Sequence, residues 1–248
     1  QNARATVIEH HRGSANAVAL PVAEIVLEQG SSLEHVVVQD FDISGYDLAT
    51  MAVNVGRDAH YGAVVFQFGA AIGRVDLRVA LRGNGASCRL DGLYMAGGNQ
   101  HLDMHIEVDH IGEHTTSSQR FKGLLDGHAA GVFRGNVRIA RAARFADAAQ
   151  LNRALLLSDN ARAHAKPQLE IDNEDVKASH GATVGQLNAD QLFYLQARGI
   201  APALARQMLV AAFAVEIVDL LPPLAAATPL RGVLEHRVGV LRHQESAS

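Results

Sequence analysis

Between Ala5 and about Leu187 the chain is a succession of short apolar or alternating runs, among them Ala17 to Leu27, His35 to Val38, Ala63 to Phe68 and Val132 to Ile139. Gly, Asn, Asp and Ser interrupt these runs at intervals of about 8 to 12 residues, the spacing of many short strands separated by turns. The alternation is clearest from His101 to His110. Leu102, Met104, Ile106 and Val108 project to one side of a strand, and Asp103, His105, Glu107 and Asp109 to the other. Such a chain folds as a sandwich, a barrel or a solenoid. Tight hairpins would bring Asn-Gly and Asp-Gly pairs, yet Asp91-Gly92 and Asp126-Gly127 are exceptions among many strands, which favours a solenoid whose coils stack into one core. No strict repeat is visible.

The last quarter reads as helix. Asn188 suits an N-cap for a segment carrying Leu192, Phe193 and Leu195, and Gly199 stands where a helix C-terminal glycine belongs. Pro202 suits the first turn of a second helix. Its expected apolar stripe is Leu204, Met208, Leu209, Ala212, Phe213 and Ile217, ending before Pro222-Pro223. Thr228-Pro229 opens an expected third helix with Leu230, Val233, Leu234, Val238 and Leu241 at helical spacing. The boundary between a β region, 1–187, and a helical region, 188–248, falls at this change of period. The helices suit either a cap on the solenoid or a docking surface.

With 248 residues and 48% apolar content, the chain can bury a sizeable core. The balance of 22 Lys+Arg against 26 Asp+Glu offers no basic stripe for nucleic acid. No apolar run reaches the roughly 20 residues of a membrane span, and Gln1 to Arg4 lack a signal peptide's regions. One cysteine, Cys88, cannot form an internal disulfide; a cytoplasmic, reducing compartment is expected, with Cys88 a small core residue. The missing initiator Met leads to the expectation that the chain begins inside a longer natural protein.

Thirteen histidines invite a metal reading. His101 and His105 share one strand face, whereas His110 falls on the other, so their spacing closes no site. His110 and His114 lack the helical geometry and the Glu of a zinc-protease pair. Ser179 and His180 are strand neighbours pointing apart, which disfavours a hydrolytic triad. Gly123, Gly127, Gly131 and Gly135 come without a phosphate-loop Lys-Ser/Thr and are expected at solenoid turns.

Several segments together resemble the SufB/SufD family of iron–sulfur cluster assembly proteins, its SufD branch in particular. They are Glu107 to His110, Thr115 to Ser118, Phe121 to Gly127, Gly131 to Gly135, Asp147 to Gln150, Leu155 to Asp159 and Lys166 to Ile171. The longest is Asn173 to Leu187, NEDVKASHGATVGQL, followed by Phe193 to Ile200. The resemblance covers about two-thirds of the chain in the family's order. It implies a mainly β fold, a right-handed parallel β-helix followed by a small α-helical region, preceded in full-length members by a helical region that this chain is expected to lack. It further implies a non-catalytic scaffold that pairs with a SufB-type subunit and docks a SufC-type ABC ATPase.

The same resemblance places His180 on a histidine implicated in iron or cluster binding at the SufB interface. The cysteine frequent two positions earlier is Ala178 here, so that position supplies no thiolate, the usual ligand of such clusters. Ala146 replaces a frequent Thr. Phe193, Tyr194, Leu195, Arg198 and Gly199 fall on the ATPase-docking segment. No tightly bound cofactor is expected in isolation, only a transient iron–sulfur cluster shared with SufB, and an exposed strand edge suits a homodimer of the isolated chain. Two other classes stay open: a β-helix carbohydrate-active enzyme, disfavoured by the absence of Trp and only 5% aromatic residues, and a stand-alone His-based metal-binding module.

Overall fold

The computed structural model describes residues 1–226 together with Gly232 and His236; the expected third helix from Thr228 lies outside the described residues. Among the described residues fourteen strands run in chain order: β1 (Arg4–His11), β2 (Val18–Ala19), β3 (Val22–Leu27), β4 (Ser32–Gln39), β5 (Tyr46–Val55), β6 (His60–Gln67), β7 (Ile72–Leu81), β8 (Ser87–Ala96), β9 (His101–His110), β10 (Thr116–Leu125), β11 (Ala130–Ile139), β12 (Asp147–Leu156), β13 (Arg162–Ile171) and β14 (Lys177–Gly185). Helices α1 (Ala189–Ala197), α2 (Pro202–Val218) and the short α3 (Pro223–Ala226) follow.

The strands form a parallel β-solenoid of about 6 turns. Even-numbered strands from β4 to β14 stack behind β1 in one seven-stranded sheet, sheet A; β13, β11, β9, β7 and β5 stack in the other, sheet B, which β2 and β3 complete. Each coil contributes one strand to each sheet, so the alternation read in β9 recurs and its apolar side becomes a continuous interior. One inner row of sheet B runs Val53, Val79, Val108, Val137 and Leu169 in direct register. Each side chain packs on an equivalent one a strand spacing of about 4.8 Å away, which suits β-branched residues.

A second ladder runs along one corner. Asn2, Gly30, Asp58, Gly85, His114 and Phe145 all adopt positive φ, between 51° and 70°. In each, the backbone N–H donates to a carbonyl of the next coil, from Asn2 to the Gln29 oxygen through Phe145 to the Asp175 oxygen. This is the coil repeat. It is written in backbone conformation rather than residue type, because Gly, Asn, Asp and even His or Phe fill it.

Two sequence expectations are corrected. Of the four evenly spaced glycines, Gly127 occupies a turn with φ +63°, but Gly123 lies within β10 and Gly131 and Gly135 within β11. Their missing side chains make room for interior groups: a β-carbon on Gly123 would fall into the Tyr94 ring, and one on Gly135 into the Gln150 amide. Asp91-Gly92 is likewise no turn; it sits inside β8, where Gly92 accommodates Phe121.

The second correction concerns α2. Its buried side is Ala205, Val210, Ala214, Ile217 and Val218, while Leu204 and Met208 of the expected stripe are 50% and 44% exposed. Helix α2 is apolar nearly all round, so periodicity alone does not select a face. Ala214 on the buried side is small enough for close approach to sheet A. There the helix covers a second apolar cluster containing Val36, Val38, Val64, Phe66, Leu93, Met95 and Leu124. Among the described residues no helix is long and apolar enough to cross a membrane.

Candidate functional site

His180 lies on β14, the end strand of sheet A, in register with Gln150 of β12. Gln150 and, beyond it, Gln119 of β10 are buried inside the solenoid, and the Gln150 amide donates to Gln119 Oε1 at 2.8 Å. His180 therefore continues an inner row. It is nevertheless exposed, because its coil is the last one of the solenoid. Ala178, two residues before it, still packs against the interior, whereas Ser179 points outward, so Ser179 and His180 make no nucleophile pair. Where Ala178 stands, a side chain would face the same open end as His180. The methyl group offers no ligand.

The helical segment follows β14 as α1. Asn188 caps α1, its Oδ1 accepting from the Gln191 N–H at 3.0 Å, and Gly199 at φ +82° closes the helix with its N–H on the Gln196 carbonyl. Among the described residues α1 has no buried side chain. Phe193 is 72% and Tyr194 58% exposed, Leu195 is half-buried, and the Arg198 guanidinium lies over the Tyr194 ring at 4.9 Å. Leu204 and Met208 extend the exposed apolar surface along α2. His180 thus ends the solenoid interior, whereas the Phe193–Gly199 segment is presented to solvent.

Several other histidines have local partners. His105 accepts from the Arg74 guanidinium at Nδ1, 2.8 Å, and its Nε2 lies 3.0 Å from Asp103, in an ion network on the outer face of sheet B. His114 stacks on Phe145 with ring centroids 4.8 Å apart. His110 is fully buried on the inner face, as its position in the alternation requires, between Thr115 Oγ1 and Ser117 Oγ, both at 2.8 Å. Thr115 donates its hydroxyl to the Gly112 carbonyl, so it accepts from His110 Nδ1–H and leaves Nε2 to accept from Ser117. Burial pushes this imidazole down to about 4, so it is neutral at pH 7. Cys88 is buried and its thiol is pushed up to about 12 by burial, which removes it from thiolate chemistry. Among the described residues no group of three or more His, Cys, Asp or Glu has an arrangement that could hold a metal ion.

One titratable chain went unnoticed in the sequence. At the first coil, His11 Nε2 lies 3.2 Å from Glu9 and Nδ1 3.5 Å from buried Asp47. Glu9 reaches on to His35 Nε2 at 3.2 Å, and His35 Nδ1 to the Tyr61 hydroxyl at 2.9 Å. The adjacent Asp47 carboxylate raises the His11 pKa against burial, while burial lowers that of His35. Its signal was Glu9-x-His11 in the inward alternation of a terminal strand, where charged residues sit only if paired.

The profile "SUF system FeS cluster assembly, SufBD core domain" matches residues 1–213. This chain belongs to the SufBD family. It is similar to a SufBD-family iron–sulfur cluster assembly protein of Synechocystis sp., 34% identical over 89% of this chain and 51% of that protein. It is 32% identical to a SufBD-family protein of Mycobacterium tuberculosis, covering 98% of the chain and 62% of the relative. Similarity to the assembly protein SufD of Escherichia coli is 31% identity over 89% and 53%. The chain therefore spans about half the length of the curated relatives it matches, and among SufBD members it is SufD-like.

Proposed function

We propose that this SufD-like chain is a non-catalytic scaffold of a cytoplasmic iron–sulfur cluster assembly complex, pairing with a SufB-type subunit and docking a SufC-type ATPase. The observation that carries this reading is the exposure of Phe193 and Tyr194, at 72% and 58%, on a helix with no buried side chain. Large aromatics held in solvent, with Arg198 over Tyr194 and with Leu204 and Met208 exposed on the following helix, have the composition that protein interfaces favour. At the other location, β14 ends sheet A with unpaired backbone groups, suited to strand pairing with SufB or, in isolation, with a second copy.

In this reading His180 is the chain's contribution to a transient cluster at the pairing edge. With Ala178 beside it, the chain offers one imidazole and the partner supplies thiolates. ATP hydrolysis belongs to the docked ATPase.

Co-purification with SufB-type and SufC-type partners tests this. Phe193→Ala/Tyr194→Ala is expected to abolish ATPase capture while SufB capture persists. His180→Ala is expected to preserve both captures and lower cluster occupancy of the reconstituted complex. Failure of the folded, intact chain to capture either partner would overturn the reading.

A further inference from the structure

Helix α2 packs on an outer patch of sheet A that is apolar almost throughout, yet one lysine lies beneath it. Lys122 of β10 is 2% exposed, flanked in register by Leu93 of β8 and Arg153 of β12. Its Nζ donates to the backbone carbonyl of Phe213 at 2.9 Å, lies 4.2 Å from the centroid of the Phe213 ring, and pairs with the Glu216 carboxylate. All three partners belong to α2. A carbonyl, a ring face and a carboxylate reach one ammonium from positions 213 and 216, one turn of the same helix.

An ion pair placed in an apolar interface adds little net stability over a well-packed apolar side chain, because desolvation offsets the attraction. Leaving the ammonium there unpartnered is costly. Near the start of α2 the Arg206 guanidinium donates to the Leu157 carbonyl; the remainder of the interface, Val210, Ala214, Ile217 and Val218 on Val, Leu, Met and Phe side chains, is made of non-directional contacts that by themselves fix neither the axial position nor the rotation of the helix. We propose that Lys122 is a positioning residue that fixes the axial register and rotation of α2 on the β-helix, and so fixes where the Phe193–Gly199 segment is held. The wrong face or a one-turn slip, about 5.4 Å along the axis, strands the charge under apolar atoms. This reading accounts for a buried helix face that differs from the apolar stripe expected from the sequence. It deepens the docking role proposed for α1 and rests on that role for its functional consequence, but not for its structural content.

The test is a distance measurement on the intact chain without any partner. Spin labels are placed at Ala203→Cys on α2 and Thr50→Cys on the outer face of sheet B, both exposed, while the native thiol at Cys88 is buried and unlabelled. The parent is expected to give one narrow distance. Lys122→Met keeps the apolar stem and removes the charge; it is expected to leave the β-helix folded while the distribution broadens or gains a second population. Amides of α2 are then expected to exchange at least tenfold faster with β-sheet protection unchanged. Glu216→Ala removes a partner whose side chain is 56% exposed, so it keeps the test available should Lys122→Met misfold, and it is expected to broaden the distribution as well. An unchanged narrow distance in Lys122→Met, or in Glu216→Ala where the former does not fold, overturns the proposal. Loss of ATPase capture by Phe193→Ala/Tyr194→Ala is a separate result, so failure of the docking role and failure of the register role are distinguishable.

Discussion

Acidification from pH 7 to pH 4 is expected to destabilise the folded chain through His110 by an amount that can be isolated. In the native state this imidazole is fully buried, neutral, and held by two hydroxyls, with its pKa pushed down to about 4. In the unfolded chain it titrates near the ordinary histidine value of about 6.5. As pH falls through 6.5 the unfolded state takes up a proton that the folded state refuses, so stability present above 6.5 is lost progressively until about 4, where the folded state also protonates. A gap of about 2.5 pK units at ~1.4 kcal/mol each gives a loss of about 3 kcal/mol over that window. Urea unfolding at pH 7, 6, 5 and 4, comparing the parent with His110→Asn, separates this group from the other histidines. The asparagine amide keeps a donor for Thr115 but leaves Ser117 without its acceptor, so the variant is expected to be weaker by about 1–3 kcal/mol at pH 7. It cannot protonate, however, so the difference between the two proteins should shrink or reverse towards pH 4. Parallel pH profiles would refute the assignment of a neutral, buried His110.

His11 should show the opposite sign. Its pKa is raised chiefly by Asp47, so its stabilisation is present below pH 6.5 and lost as pH rises through the folded value; the protection factors of β1 amides, corrected for base-catalysed intrinsic exchange, are expected to fall across that rise in the parent and not in His11→Gln. Cys88, with its thiol pushed up to about 12, should resist a maleimide at pH 8 in the native state and react promptly in denaturant; fast native labelling would contradict its burial. Gly123→Ala should cost about 1–3 kcal/mol or more in chemical denaturation because the new methyl meets the buried Tyr94 ring, and pairing it with Tyr94→Leu should recover part of the loss. Asn188→Ala should lower the stability of α1 by about 1 kcal/mol, read as faster amide exchange at Gln191, through loss of the N-cap.

The division between what the sequence disclosed and what it concealed follows from which forces leave a mark on residue type. The alternation of β9 was legible because the interior accepts only apolar or satisfied side chains, and it placed His110 on the inner face correctly. The coil repeat was hidden because its corner requires a left-handed backbone conformation, which His114 and Phe145 adopt alongside Gly30 and Gly85. The candidacy of His180 rests on the family resemblance, since an exposed histidine on an end strand differs in no local way from a solvated one.

The face covered by α2 did leave a trace in the strands. Val36 to Val38, Val64 to Phe66, Leu93 to Ala96 and Leu124-Leu125 break the alternation with consecutive apolar residues, the pattern of strands buried on both sides. In β10 the outward positions run Ser118, Arg120, Lys122, Leu124, so a lysine stands at the point where the outer surface turns from charged to covered. Read from the strands alone, that position marks the border of a docking patch. Read from α2 alone, it is invisible, because a helix apolar on nearly every side carries no record of its orientation. A charge placed at the edge of an apolar patch, able to be satisfied by one turn of the overlying helix, supplies the directional information that the hydrophobic contacts lack.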